Sequence, residues 1–305
     1  MSFNLRHLKY FIATAELGQV SRAAVELSIS QSAVTTAIKE LEKTLGAELF
    51  VRSANGVELT DIGRRFLSSS YDILSKVEEA LLIPESPRIA GTLSVAASYT
   101  VIGYFLPAHM DRLSRSLPGL ELKIHEMTRE TIEEGLIAGR FDIGVALTSN
   151  ITNPEIASET IISSARRLWT PSHHRLTERA KVTFDDVAQD PYVMLTVDEA
   201  AHTTMRYWSK TPFQPQVRLR TSSVEAVRSL VANGHGITIL SDMVYRPWSL
   251  EGRRLETVNL DERIPPMDVG LVWRKDVDFT PAMAAFRDYF RTQARISQTT
   301  GHRVL

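Results

Sequence analysis

Two short amphipathic segments separated only by Ser28 and Ile29 constrain this chain more than any other feature. Helices joined by so short a turn cannot lie antiparallel; they cross steeply and leave the second one exposed. The first is predicted to start at a Ser21 cap, with Val20 and Val25 forming a hydrophobic staple and Leu27 closing it. The second is predicted to start at a Ser30 cap, with Ile29 and Val34 as its staple. Its buried stripe is Val34, Ile38, Leu41 and Leu45, and Gly46 supplies the left-handed stop. Ahead of both, Leu5, Leu8, Ile12 and Ala15 recur at helical spacing behind a possible Asn4 cap.

The outer face of the exposed helix presents Ser32, Thr35, Thr36, Lys39 and Lys43, with Gln31 in its first turn. Short hydroxyl side chains let a helix approach base edges closely, and Gln can contact adenine bidentately. After the helix, two short apolar runs flank Ser53-Ala54-Asn55-Gly56, and Asn-Gly is a strong hairpin signal, which predicts a wing. Arg52 on that wing and Arg22 at the start of the preceding helix suit phosphate contacts that fix register. Residues 1–65 hold eight Lys or Arg against seven Asp or Glu. Duplex binding therefore requires Glu16, Glu40 and Glu42 to lie off the contact face.

The segment LRHLKYFIATAELGQVSRAAVELSISQSAVTTAIKELEKTLGAELFVRSANGVELTDIG resembles the winged helix-turn-helix of the LysR-type transcriptional regulators. The matching positions include Ala23-Ala24, Ser30-Gln31-Ser32-Ala33, Leu41-Glu42, Leu45-Gly46, Leu49-Phe50, Arg52, Leu59-Thr60 and Gly63. Where the family often has Ser-Arg-Gln, this chain has Thr35-Thr36-Ala37, so a recognition-helix arginine is missing and the operator sequence cannot be carried over.

From Thr60, a cap, the apolar positions Ile62, Phe66, Leu67, Leu74, Val77 and Leu81 keep a helical period until Pro84 and Pro87 end it. A rod of roughly 35 Å with an apolar stripe pairs most simply with its own copy. The resemblance implies the same, a linker helix that forms an antiparallel dimer contact. At 305 residues the chain holds about two domains of typical size. The expected division is 1–60 for the winged helix-turn-helix, 61–90 for the linker helix and hinge, and 91–305 for an effector-binding domain.

Beyond Gly91 short apolar strands alternate with helices, the pattern of an α/β fold with a largely parallel sheet. Leu93–Ala97, Leu120–Glu126 and Phe141–Leu147 read as strands, and Thr100–Leu117 as a helix interrupted at Pro107. An internal echo is present: LELKIHEMTRETIEEGLIAGRFDIGVAL and QVRLRTSSVEAVRSLVANGHGITIL both run strand, hydroxyl-rich turn, helix, glycine, strand. Two similar lobes follow, with a cleft where strand-to-helix turns gather free amides. Ser98, Thr100, Thr128 and Thr196 stand at such turns. The region also resembles the family's effector domain, whose fold is similar to periplasmic solute-binding proteins. That resemblance puts Ser98-Tyr99-Thr100 and Met127-Thr128 on the first two effector-binding turns and His235, within Gly234-His235-Gly236-Ile237, on a glycine motif of the second lobe. By the same analogy lobe one takes 91–161 and 267–305, with Met267–Trp273 as the returning strand, and lobe two takes 162–266. Phe286, Tyr289 and Phe290 mark a closing helix, with a frayed tail from Arg295.

No G-x-S-x-G elbow, phosphate loop or H-E-x-x-H motif is present, and Gly234-His235-Gly236 is a helix stop, not a dinucleotide fingerprint. The chain has no cysteine, which excludes disulfides and thiolate chemistry and fits a reducing compartment. The N-terminus lacks the unbroken apolar core of a secretory signal, and no stretch is long enough for a membrane span. The adjacent His173 and His174 point apart and make a poor metal site. A formal charge of −1 shows no global pull toward nucleic acid. The expectation is a cytoplasmic regulator, not an enzyme, with no catalytic residues, metal or cofactor. Its partners are a pseudo-palindromic double-stranded DNA site and a small effector, either a carboxylate or an aromatic compound, with Tyr99, Tyr104, Trp208 or Trp248 available to stack. The resemblance implies a homodimer assembling to a homotetramer that bends DNA. Two rivals stand beside it: a two-lobed binding or enzymatic domain merely tethered by the N-terminal module, and an architectural DNA binder that ignores ligands.

Overall fold

Asn4 opens the first helix by accepting hydrogen bonds from the amides of Arg6 and His7. The computed structural model that shows this describes residues 3–53, 56–81 and 89–300. Its chain divides into two units, Met1–Glu85 and Ser86–Leu305.

In the first unit, α1 (Leu5–Leu17), α2 (Val20–Glu26) and α3 (Gln31–Leu45) precede a hairpin of β1 (Phe50–Ser53) and β2 (Gly56–Leu59), then α4 (Asp61–Leu81). The start of α2 differs from expectation. Gln19 holds the cap position without a side-chain bond, Ser21 lies inside the helix, and Val25 is 81% exposed, so the expected staple does not form. The core takes Ala23 and Ala24 against Val34 and Ile38, with Val20 and Leu27 packed alongside. At about 100° per residue that choice turns Val25 to the opposite face.

Ser30 caps α3 as expected, its hydroxyl accepting from Ala33 N–H at 3.2 Å. Val34, Ala37, Ile38 and Leu41 are buried, while Leu45 in the last turn is exposed. Gly46 ends the helix at φ 68°, a conformation cheap only for glycine. Glu42 then ties α3 to the wing, accepting from Leu49 N–H at 2.9 Å. Thr60 caps α4 by accepting from Gly63 N–H at 2.8 Å. Phe66, Leu67, Ile73 and Leu74 of α4 pack on the cluster of Leu8, Phe11, Leu41 and Leu49, so part of the predicted seam is used within the unit. Ile62 remains exposed. Pro84 and Pro87, and the Ala54-Asn55 turn of the wing, lie outside the described residues.

The second unit begins with β3 (Ala90–Ala97), α5 (Tyr99–Tyr104), α6 (Pro107–Ser116), β4 (Gly119–Glu126), α7 (Arg129–Ile137), β5 (Ile143–Leu147) and β6 (Ile156–Ser164). The predicted helix with an interruption is two helices, because Pro107 takes the first position of the second. The chain continues with β7 (Arg166–Pro171), α8 (Phe184–Ala188), β8 (Pro191–Leu195), α9 (Ala200–Trp208), β9 (Gln216–Thr221), α10 (Val224–Ala232), β10 (Thr238–Ser241) and β11 (Leu255–Val258). It returns through β12 (Met267–Arg274) to α11 (Pro281–Thr300), which stays helical past Arg295, where fraying was expected.

The internal echo becomes two sheets of one design. The first runs β4-β3-β5-β12-β6, with β3 parallel to both β4 and β5, and β12 antiparallel to both its neighbours. In the second, β8 and β9 pair in parallel and β7 lies antiparallel between β10 and β11. A parallel bridge between Tyr192 and Ile237 joins these pieces into the order β9-β8-β10-β7-β11. Where the chain crosses between lobes, Asp242 N–H donates to Ala165 O at 2.8 Å. Beside it the Arg166 guanidinium donates to the carbonyls of Pro265 and Pro266. Among the described residues no helix is long and apolar enough to cross a membrane.

Candidate functional sites

The first site is the free face of α3. Gln31, Ser32, Thr36, Lys39 and Lys43 are exposed on the helix whose other side is buried. Thr35 is half-buried and its hydroxyl donates to Gln31 O at 2.9 Å, so it is partly committed to its own helix. Ser32 Oγ lies 3.0 Å from Ser30 Oγ. Arg52 is exposed on β1, opposite Val57, and Arg22 is half-buried in the first turn of α2. Short polar side chains ahead of two lysines make a surface that can enter a groove and meet phosphates.

The second site is a cleft of about 460 Å³ in the second unit. Four chain segments line it, and each follows the C-terminal end of a strand: Ser98-Tyr99 after β3, Glu126–Glu130 at the end of β4, Leu147 and Asn150 after β5, and Thr196–Glu199 after β8. Ligands of open α/β sheets bind at such strand ends. Ser98 is 4% exposed, and its buried hydroxyl has no hydrogen-bond partner. Thr128 caps α7, accepting from Thr131 N–H at 3.5 Å. Thr196 makes no capping bond with its side chain. Thr100 lines an adjoining cavity of about 40 Å³, behind Asp198.

Asp198 and Glu199 hold this cleft in a way the sequence did not announce. Both sit in the left-handed region, at φ 47° and 62°, a conformation that costs roughly 1–3 kcal/mol per non-glycine residue. Asp198 Oδ2 accepts from Thr100 N–H at 2.6 Å, and its carbonyl accepts from Asn150 Nδ2 at 3.2 Å. Glu199 accepts from Arg129 Nε. The same guanidinium donates to Glu133 at 2.9 Å and Glu130 at 2.8 Å. Burial works against the Arg129 charge, but the bonds to Glu199 and Glu133 outweigh it and push its pKa up. A free amide expected at the first turn, that of Thr100, is thus taken by the chain's own carboxylate. In sequence, Thr196-x-x-Glu199 looks like an ordinary helix start, and nothing local marks Arg129 or Asn150 as its partners.

His235 lies elsewhere, exposed and outside the cleft lining. It follows the C-terminus of α10, and α10 runs back toward the start of β8, where Ile237 N–H donates to Pro191 O at 2.8 Å. The cleft opens at the other end of those strands. Of the aromatics expected to stack, Tyr99 lines the cleft. Trp208 is fully buried in the lobe-two core, Tyr104 Oη donates to Glu225, and Trp248 is away from the lining. His174 Nε2 approaches Asp190 at 3.6 Å, but no group of three or more possible metal ligands occurs among the described residues.

Comparison with known proteins assigns both units. Residues 5–64 match the bacterial regulatory helix-turn-helix protein, lysR family, and residues 87–295 match the LysR substrate binding domain. The chain is 30% identical over 299 residues to YnfL of Escherichia coli (strain K12), described as an uncharacterized HTH-type transcriptional regulator, covering 94% of this chain and 97% of that protein. It is 28% identical over 297 residues to the RuBisCO operon transcriptional regulator of Allochromatium vinosum, covering 96% and 97%. HinK, a LysR family transcriptional regulator from Pseudomonas aeruginosa, matches with a TM-score of 0.63 at 27% identity over 96% of this chain and 99% of that one. With a helix-turn-helix domain followed by an effector-binding domain, the chain belongs to the LysR family of DNA-binding transcriptional regulators.

Proposed function

We propose that α3 docks in the major groove of a pseudo-palindromic operator, reading bases through Gln31, Ser32, Thr35 and Thr36 and meeting phosphates through Lys39, Arg22 and Arg52. On this reading residues 1–60 bind DNA, 61–90 join two chains along α4, and 91–305 sense a small molecule through Ser98, Tyr99, Thr128 and Thr196, with Thr100 behind them bonded to Asp198. The protein works in the cytoplasm as a dimer of dimers and breaks no bond. The ligand acts by binding one arrangement of that tetramer better than another, since equal affinity for both would shift nothing.

One observation carries this reading: α3 buries Val34, Ala37, Ile38 and Leu41 and leaves Gln31, Ser32, Thr36 and Lys39 exposed. The test is retention of a promoter fragment against random competitor DNA. Gln31→Ala, alone and with Thr36→Ala, is expected to reduce the preference, with about 1–3 kcal/mol lost for a bidentate base contact. Footprints unchanged in both variants overturn the assigned face.

A further inference from the structure

The charges around the cleft say what kind of molecule it takes, an inference that rests on the cleft being the effector site. Glu126, Glu130, Asp198 and Glu199 line it against a single cation, Arg129. That cation is spent on three carboxylates, Glu130, Glu133 and Glu199. The amide of Thr100, a donor that an anion could have used, already holds Asp198. Glu130 stays ionised, since its own backbone amide holds the carboxyl below its ordinary range, against a smaller effect of burial and with help from Arg129. A carboxylate ligand entering here meets repulsion with no uncommitted cation in the lining to offset it. One unpaired like charge at about 4 Å weakens binding by roughly fivefold where water screens it and by up to about a thousandfold where it does not.

Glu126 differs from the other three acids. It ends β4, is exposed, and its carboxylate has no hydrogen bond or ion pair among the described residues. An independent feature points to a ligand in the same place: the Ser98 hydroxyl lines the cleft, buried and unpartnered, although buried polar groups rarely stay so. The same cleft has an apolar part to its wall, formed by Met127, Ala146, Leu147 and Val197. We propose that the cleft binds a small molecule bearing a protonated amine on a short apolar body, its ammonium drawn to Glu126 and a second polar group bonded to Ser98.

The test uses the full chain and matched pairs of probes: butylamine and butyrate, 1,4-diaminobutane and succinate, tyramine and 4-hydroxyphenylacetate. An amine is expected to raise the melting temperature in a saturable way while its carboxylate partner does not. Glu126→Gln is expected to weaken that amine about tenfold and Ser98→Ala severalfold, the range of a charged and a neutral hydrogen bond. Saturable stabilisation by a carboxylate, or no saturable response to any amine, overturns the proposal. Operator retention by the same preparation without ligand is scored separately. A chain that holds its operator but ignores amines loses only the charge assignment, whereas one that holds no operator sinks the regulator reading itself.

Discussion

The Asp198 carboxylate accepts a 2.6 Å hydrogen bond from the backbone N–H of Thr100, a residue 98 positions earlier in the chain. The loop after β8 thereby closes the first turn of α5 and holds the two lobes across their cleft. A hydrogen bond to a charged group contributes about 1.5–3 kcal/mol, and a buried donor left without one is costly. Asn tolerates the left-handed backbone and keeps an acceptor, whereas Ala does neither. Asp198→Ala is therefore expected to destabilise the effector-binding unit by about 2 kcal/mol, and Asp198→Asn by less than about 1 kcal/mol. Urea unfolding followed by tryptophan emission checks this directly, because Trp169, Trp208, Trp248 and Trp273 all belong to Ser86–Leu305. Equal losses in the two variants would show that neither the acceptor nor the backbone preference matters.

Lys39 and Gln31 share the exposed face of α3 but are expected to fail differently. A lysine on a phosphate contributes to all sequences alike through counterion release. Lys39→Ala should weaken operator and random DNA together and reduce the slope of log K against log salt by about 0.9 for each half-site bound. Gln31→Ala should leave the slope in place and lower the preference for operator. Binding isotherms at several salt concentrations separate the two, and a Lys39→Ala slope equal to that of the parent would take this residue off the phosphate backbone.

His109 makes the effector-binding unit sensitive to acid. Its ring is almost fully buried between Phe105 and Phe290, with Nδ1 3.2 Å from Tyr289 Oη. Burial, helped by the Arg112 charge, lowers its pKa to about 3. The unfolded chain, with a histidine pKa near 6.5, takes up the proton first, so stability is complete above about pH 6.5 and falls as pH drops toward about 3. The slope approaches 1.4 kcal/mol per pH unit, or about 2 kcal/mol between pH 6.5 and pH 5. His109→Gln should remove that part of the dependence, whatever it does to stability at neutral pH. His174, shifted in the same direction by its own burial, is present in both proteins and cancels in the comparison. Parallel stability curves for the two proteins over this range would show that His109 is protonated in the fold.

The parts of this structure that were legible in the sequence are those fixed by neighbours a few residues apart. Ser30, Gly46 and Thr60 act as the caps and stop that their local chemistry announces. The strand-helix-strand echo became β4-α7-β5 and β9-α10-β10, because each copy carries its own periodicity. Ser21 was misplaced because the start of a seven-residue helix depends on which apolar residues the core accepts, and it accepted Ala23 and Ala24. The cleft was half visible. Ser98, Thr128 and Thr196 stand at turns that sequence can find, but the bonds that Thr100 N–H donates to Asp198 and Arg129 donates to Glu199 span 98 and 70 residues and leave no pattern. His235 was correctly tied to a helix stop, yet its end of the sheet follows only from the direction of α10.

Gly63 is the sharpest test of how the wing is seated on α4. A Cβ built there would fall well inside contact distance of the Leu49 carbonyl oxygen and 3.0 Å from Leu59 Cδ2. The same carbonyl accepts from Thr60 N–H at 3.0 Å, so it cannot move aside without breaking the cap of α4. Gly63→Ala must instead push the first turn of α4 off the hairpin, and overpacking of this kind costs about 1–3 kcal/mol. Hydrogen exchange should then quicken across α1, α3 and the wing, and operator affinity should fall because Leu49 also anchors Glu42 of α3. The tryptophan unfolding midpoint, which reports the other unit, should stay where it is. Unchanged exchange in the wing would mean that α4 accommodates the methyl group, and the close approach of Gly63 to Leu49 would then not be what fixes the wing.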